Sequence, residues 1–348
     1  MSNSRYISSL IKGYAIIFIA LHNFLHMSYM GFVQENEMRF DISKSRLFFE
    51  HLLNPSWTIV GDLFSFIGWI GVPVFVFLSG FGLCKKYEKY NKIDTKTYIR
   101  HSFLKLFWLM LPAVLVYAVR SAFVGNFFRV GKGLFSLTLL NNFVCNILPF
   151  EPGVYWYFGL TFQLYIVYLC VRNIGNISCL LLGGVCIVLQ LFMNPIWFPG
   201  QEALSLIRHN FIGWLPLFVL GIVCAKKSLG EKLCGSVMFL IISILTLALM
   251  LVMNLNFYIW IFVPFISLIF FYSLAKLTER GHFVKLAVLW LGNYSAYIFA
   301  VHPIVRTIVM AVPIEMPAVL MTVIYIALFC IGAVAYKFIV DKLNRITI

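Results

Sequence analysis

The segment IKGYAIIFIALHNFLH, from Ile11 to His26, is an apolar helix of membrane-spanning quality that opens on Lys12 and carries His22 and His26. At a rise of ~1.5 Å per residue, His22 lies about 15 Å beyond Lys12, near the middle of a ~30 Å hydrocarbon layer. A titratable ring at that depth is costly, so it faces a protein interior or a wet cavity and marks function. The spacing of four puts both imidazoles on one helix face, a turn apart. It would also suit a metal pair, but no carboxylate or thiolate stands beside them in the helix, and no metal is expected.

The remainder of the chain continues in the same character. Its 348 residues are 61% hydrophobic, 17% aromatic and 11% charged, with a mean hydropathy of +0.92. No soluble domain of this size hides so much apolar surface under so little charge. The apolar runs are continuous and of helical length, without the alternation of an outer-membrane barrel. Arg5 and Lys12 give the first run the look of a signal peptide, but no small-residue cleavage site follows it, so it counts as a helix. Ten spans are predicted, at 11–30, 59–83, 102–124, 154–172, 178–194, 211–225, 236–253, 257–276, 287–311 and 318–339, with an interfacial segment possible within 194–210. The expected fold is an all-α polytopic membrane protein with about ten transmembrane helices, forming one domain over residues 1–348.

Charge in the links sets the expected orientation. Lys85, Lys86, Lys89, Lys92, Lys96 and Arg100 crowd the link CKKYEKYNKIDTKTYIRH, residues 84–101. Basic groups recur on the same side at Arg172, at Lys226, Lys227 and Lys232, at Lys276, Arg280 and Lys285, and at Lys337, Lys342 and Arg345. By the positive-inside rule both termini are cytoplasmic. The net charge of +14 therefore reads as topology and contact with membrane lipids, and no nucleic-acid partner is expected. Eight cysteines, Cys234 among them, are scattered without metal or CxxC spacing and read as small packing residues. The links 31–58 and 125–153 face the other way as mixed loops; Tyr155, Trp156 and Tyr157 close the second, either as an aromatic belt or as part of an acceptor site.

Polar residues inside the spans sort by depth. Lys12, Arg100, Lys105 and Ser79 lie toward the cytoplasmic side, His22 and Gln163 near the middle, and His26, Asp62, Arg120, His302 and Arg306 toward the outside. This predicts a polar path through the bilayer with cations at its inner mouth, where a phosphorylated donor would bind. Alternatively, Lys12, Arg100 and Lys105 snorkel to headgroups, Asp62 sits at the interface, and His302, just before Pro303, is satisfied by local backbone. A desolvated, neutral imidazole at His22 beside a substrate hydroxyl is a general base. Ser79 is too far from it to serve as nucleophile, and no GxSxG elbow is present.

Four stretches carry a family likeness. They are Lys12-Gly13-Tyr14-Ala15 leading to His22, GVPVFVFLSGFGL over Gly71–Leu83, Tyr155-Trp156-Tyr157-Phe158, and Leu291-Gly292-Asn293-Tyr294-Ser295-Ala296-Tyr297 leading to His302-Pro303. In type and order the chain resembles the membrane-bound acyltransferase-3 family of ten-helix O-acyltransferases. The resemblance implies transfer of an acyl group, often acetyl, from cytoplasmic acyl-CoA to a hydroxyl of a cell-surface or lipid-linked glycan, with no permanently bound cofactor. It places His22 at the family's essential histidine. Lys12 stands where the family has arginine, and only Arg100 and Lys105 supply charge at the start of the third span. Lys12, Arg100 and Lys105 are thus the expected donor-binding residues, and His26 and His302 the candidates for orienting the acceptor. A transporter or flippase for a sugar, lipid-linked sugar or organic acid would use the same buried polar residues without chemistry. A non-catalytic membrane scaffold is the third reading.

Overall fold

Wherever an apolar run continues for several turns the chain is helical, because a helix satisfies its own backbone groups where no water can reach them. The computed structural model describes residues 3–26, 32–90, 92–147, 152–226, 236–279, 281–311 and 316–347, and no strand occurs among them. Lys227, Lys232, Cys234 and Arg280 lie outside the described residues. The first helices are α1 (Asn3–His26), α2 (Ile42–Leu53), α3 (Ile59–Ile67), α4 (Gly71–Tyr87), α5 (Thr95–Phe123) and α6 (Phe127–Ser136). They are followed by α7 (Trp156–Val171), α8 (Asn176–Phe192), α9 (Glu202–His209), α10 (Phe211–Lys226) and α11 (Ser236–Met253). The last four are α12 (Phe257–Trp260), α13 (Val263–Thr278), α14 (His282–Ala311) and α15 (Ala318–Thr347).

Among the described residues, eight helical stretches are long and apolar enough to cross a membrane. They are Ser4–His26, Ile59–Tyr87, Thr95–Phe123, Gly153–Val171, Glu202–Lys226, Ser236–Met253, His282–Ala311 and Ala318–Arg345, while α8 and α13 are apolar but shorter. The chain is an all-α polytopic membrane protein, and its apolar helices fall on the predicted spans with shifted ends. The third span starts early because Asp94 caps it, its carboxylate accepting the Thr97 N–H at 3.2 Å. The sixth is extended at its start by α9, which lies within 194–210. The links 31–58 and 125–153, read as loops, contain α2 and α6; Asp41 caps α2 by accepting the Ser43 N–H at 2.9 Å.

Helix α1 is central, packing against α3, α4, α13 and α14, while α4 also packs on α10. Helices α11 and α15 turn most of their apolar side chains outward, as lipid-facing helices do. One end of the bundle is basic, with Lys86 and Lys105 exposed there. At the opposite end residues 32–41 fold back over the end of α1.

Asp62 fastens that fold-back. It is 1% exposed; Oδ1 accepts the Val33 N–H at 3.0 Å, while Oδ2 faces His51 Nδ1 at 3.0 Å and the Thr58 hydroxyl at 3.3 Å. Asp62 is a buried clamp among three segments. Asp62→Ala strands those donors and is expected to cost about 2–4 kcal/mol of stability. Reduced survival of the detergent-solubilised protein after a heating step would show it.

Candidate active site

The site begins where α3 breaks. Gly68-Trp69-Ile70 form a single 3₁₀ turn between α3 and α4; the Phe64 carbonyl still accepts the Gly68 N–H, but the carbonyls at this helix end have lone pairs open to a further donor. His22 supplies one: its Nδ1 lies 2.9 Å from the Ser65 carbonyl and 3.3 Å from that of Phe64. A carbonyl can only accept, so Nδ1 carries the proton and donates it. Nε2 is left with its lone pair free and makes no hydrogen bond among the described residues. That hydrogen bond fixes the tautomer, and burial to 5% exposure restricts the ring's orientation.

His22 lines a small chamber of ≈ 30 Å³ together with Asn23, Glu37, Trp69, Trp156, Tyr157 and Phe299. A larger cavity of ≈ 370 Å³ lies on the basic side, within the usual range for small-molecule sites. Lys12, Lys86, His101 and Lys105 line it, and the last three are exposed, so its mouth is cationic. Its walls are apolar and aromatic, from Phe75, Leu78, Leu109 and Phe158. Along α4 the lining runs from Lys86 to Phe75, roughly 16 Å at the helical rise. Tyr157 and Phe299 belong to both linings, with ring centroids 5.2 Å apart. They form a septum between cavity and chamber, so the predicted continuous path is two compartments sharing an aromatic wall.

The fold-back contributes two carboxyl groups. Glu35 Oε2 lies 2.7 Å from His26 Nδ1, and the His26 ring is 5.4 Å from that of His22. Burial pulls the Glu35 carboxyl upward, but the imidazoles of His26 and His22 outweigh it and bring its pKa down to about 2. Glu37 behaves oppositely: burial, then the charge of Glu35, push it up to about 8 against the pull of Arg208, so it is uncharged at neutral pH. Arg208 itself is 2% exposed and caged by tryptophans, its guanidinium 4.4 Å from the ring centroid of Trp260, 5.4 Å from Trp214 and 5.8 Å from Trp69.

Among the residues expected from sequence, His22, Lys12 and Lys105 line one compartment or the other. Arg100 is exposed and outside the cavity lining, where Lys86, counted only as a topology signal, takes a place. His26 reaches the site through Glu35. His302 is fully buried and lines neither compartment; its Nδ1 donates to the Ile298 carbonyl at 3.1 Å, one turn back, while Nε2 is buried without a partner. Gln163 ties α7 to α10 through Asn210 and the Phe211 N–H. Arg306 donates to the Asn23 carbonyl at 3.1 Å, and Arg120 is exposed. Sequence reasoning missed Glu35, Glu37, Arg208, Trp69 and the septum, because nothing local distinguishes two glutamates in a mixed loop or a phenylalanine in an apolar helix.

The four stretches quoted from the sequence converge here. Lys12, then Phe75, Leu78, Ser79, Gly82 and Leu83, then Tyr157 and Phe158, then Ser295 and Ala296 all line the one cavity behind His22. No curated protein and no solved structure matches the chain. A family model described as an acyltransferase domain matches residues 6–340, nearly its whole length, and the chain belongs to the acyltransferase-3 family of membrane acyltransferases.

Proposed function

We propose that this membrane acyltransferase moves an acyl group, acetyl in the simplest case, from cytoplasmic acyl-CoA to a hydroxyl of a cell-surface or lipid-linked glycan. The observation carrying this reading is the pairing of a cation-mouthed cavity with an imidazole that keeps a free Nε2 just behind its far wall. The basic end faces the cytoplasm, as the positive-inside rule requires, and the protein resides in the cell membrane. The donor's phosphates meet Lys12, Lys86 and Lys105, and its pantetheine arm lies along the aromatic wall toward Tyr157 and Phe299. At the septum the acceptor oxygen attacks the thioester carbonyl carbon while His22 Nε2 takes its proton. The carbon–sulfur bond then breaks, and the proton passes from the imidazolium to the departing thiolate.

Lys12→Met with Lys105→Met removes two of the three lysines that line the cavity. The double variant is expected to raise the donor KM by about 10-fold and leave the acceptor KM unchanged, because those groups meet only the donor. The reading as a whole is tested by mass spectrometry of surface glycans and lipids from cells with and without the protein. A defined acyl mass increment that depends on the protein supports it. Movement of a solute with no consumption of labelled acetyl-CoA overturns it in favour of a carrier.

A further inference from the structure

The fold-back over α1 is more firmly built than a connector needs to be. Gln201 pins Phe40 from both sides, its Oε1 accepting the Phe40 N–H at 2.7 Å and its Nε2 donating to the Phe40 carbonyl at 2.8 Å. Asn36, fully buried, accepts the Asp41 N–H at 3.0 Å and donates to the Asp41 carbonyl and the Ser45 hydroxyl, both at 3.1 Å. Between these fasteners Arg208 Nε donates to the Glu37 carbonyl at 2.6 Å, and the tryptophan cage keeps that arginine from moving. The Glu37 backbone is therefore clamped, yet its side chain is not used in the clamp. The carboxyl lines the same chamber as His22, and its Oε1 is buried without a hydrogen-bond partner.

A buried, unpartnered carboxyl oxygen is expensive, and proteins keep such groups where a ligand completes them. The chamber is small, ≈ 30 Å³ against ≈ 370 Å³ for the cavity, so it takes a hydroxyl-bearing arm of the acceptor and not the whole acceptor. Its lining contains no lysine or arginine and includes the Glu37 carboxyl, so an anionic group finds no cation there to pair with. The aromatic faces of Trp69 and Trp156 suit the C–H surface of an uncharged polyol.

We propose that Glu37 is the acceptor-binding residue of this site, holding a hydroxyl of an uncharged sugar or polyol between its carboxyl and His22 Nε2. The proposal rests on the transferase reading above. The acceptor O–H donates to Nε2, and the same oxygen accepts a hydrogen bond from the Glu37 O–H. As His22 withdraws the proton, that second bond stabilises the charge gathering on the oxygen. Glutamine at this position keeps a donor of similar reach; alanine does not.

The test uses the full-length protein in membrane vesicles, with labelled acetyl-CoA as donor and a glycolipid extract of the same membranes, in dilution series, as acceptor. Glu37→Ala is expected to raise the apparent acceptor KM by about 10-fold with the donor KM unchanged, the size of one lost hydrogen bond. Glu37→Gln is expected to recover to within about 3-fold of the parent, a rescue that a purely structural role for the carboxylate would not give. A parent-like acceptor KM in Glu37→Ala overturns the proposal and leaves the transferase reading standing. So does a parallel rise in donor and acceptor KM, or a glutamine variant as impaired as alanine. Failure of the parent protein to label the extract removes both.

Discussion

Replacing His22 by glutamine is expected to lower acyl transfer by about 10²–10⁴-fold, the range a positioned general base supplies, while the protein inserts and folds as before. The reasoning is in the division of labour between the two ring nitrogens. Nδ1 satisfies the Ser65 carbonyl at 2.9 Å, and the amide of glutamine can offer a donor there in its place. Nε2 has no structural task, and an amide cannot replace a nitrogen lone pair that takes and returns a proton. The variant thus separates the chemical role from the scaffolding one. It should bind donor with the parent's affinity, since Lys12, Lys86 and Lys105 lie in the other compartment. His302→Gln is the contrasting case: that ring faces neither compartment, and its loss should change the rate by less than about 10-fold. Rates for His22→Gln within a few-fold of the parent would remove His22 from the chemistry.

The sequence carried the fold further than the site. Each membrane helix announces itself by an apolar run, and burial of a histidine at mid-span is costly enough that His22 stands out without any partner in view. What surrounds His22 is assembled from distant segments, and no periodicity links them. Glu35 and Glu37 lie in a polar loop whose composition reads as solvent-exposed, and only the fold-back pinned by Asp62 and Gln201 brings them under α1. Arg100 and Lys86 show the reverse failure. Charge count ranked both as cytoplasmic, but helix phase decides which one turns toward the cavity, and that phase is set by packing of α4 and α5 on their neighbours. His302 looked like Pro303's polar companion, and its Nδ1 does bond the preceding turn, as its alternative reading held.

Among the described glycines, Gly292→Ala is expected to be the most disruptive addition of a single methyl group. A Cβ on Gly292 would sit 1.8 Å from the Ser9 carbonyl oxygen and 3.1 Å from the Gly13 nitrogen, and one on Gly13 would sit 2.0 Å from the Val288 carbonyl oxygen. Both obstacles are backbone, so no side-chain rotation relieves them; α1 and α14 must separate. Overpacking a well-fitted core costs about 1–3 kcal/mol even where side chains can yield, and more is expected where two helix backbones meet. Function should suffer with stability, because α1 carries Lys12 and His22 while α14 carries Ser295, Ala296 and Phe299. These are two of the family-like stretches, and their glycines are what lets them touch. The control is Gly184→Ala on α8, where a Cβ meets nothing within 4 Å. There the better helix propensity of alanine, worth about 1 kcal/mol, should leave heat survival equal or improved. Gly292→Ala should lose most of its folded fraction in the same heating step and most of its transferase rate before it, and a variant that kept both would show that α1 and α14 do not need this contact.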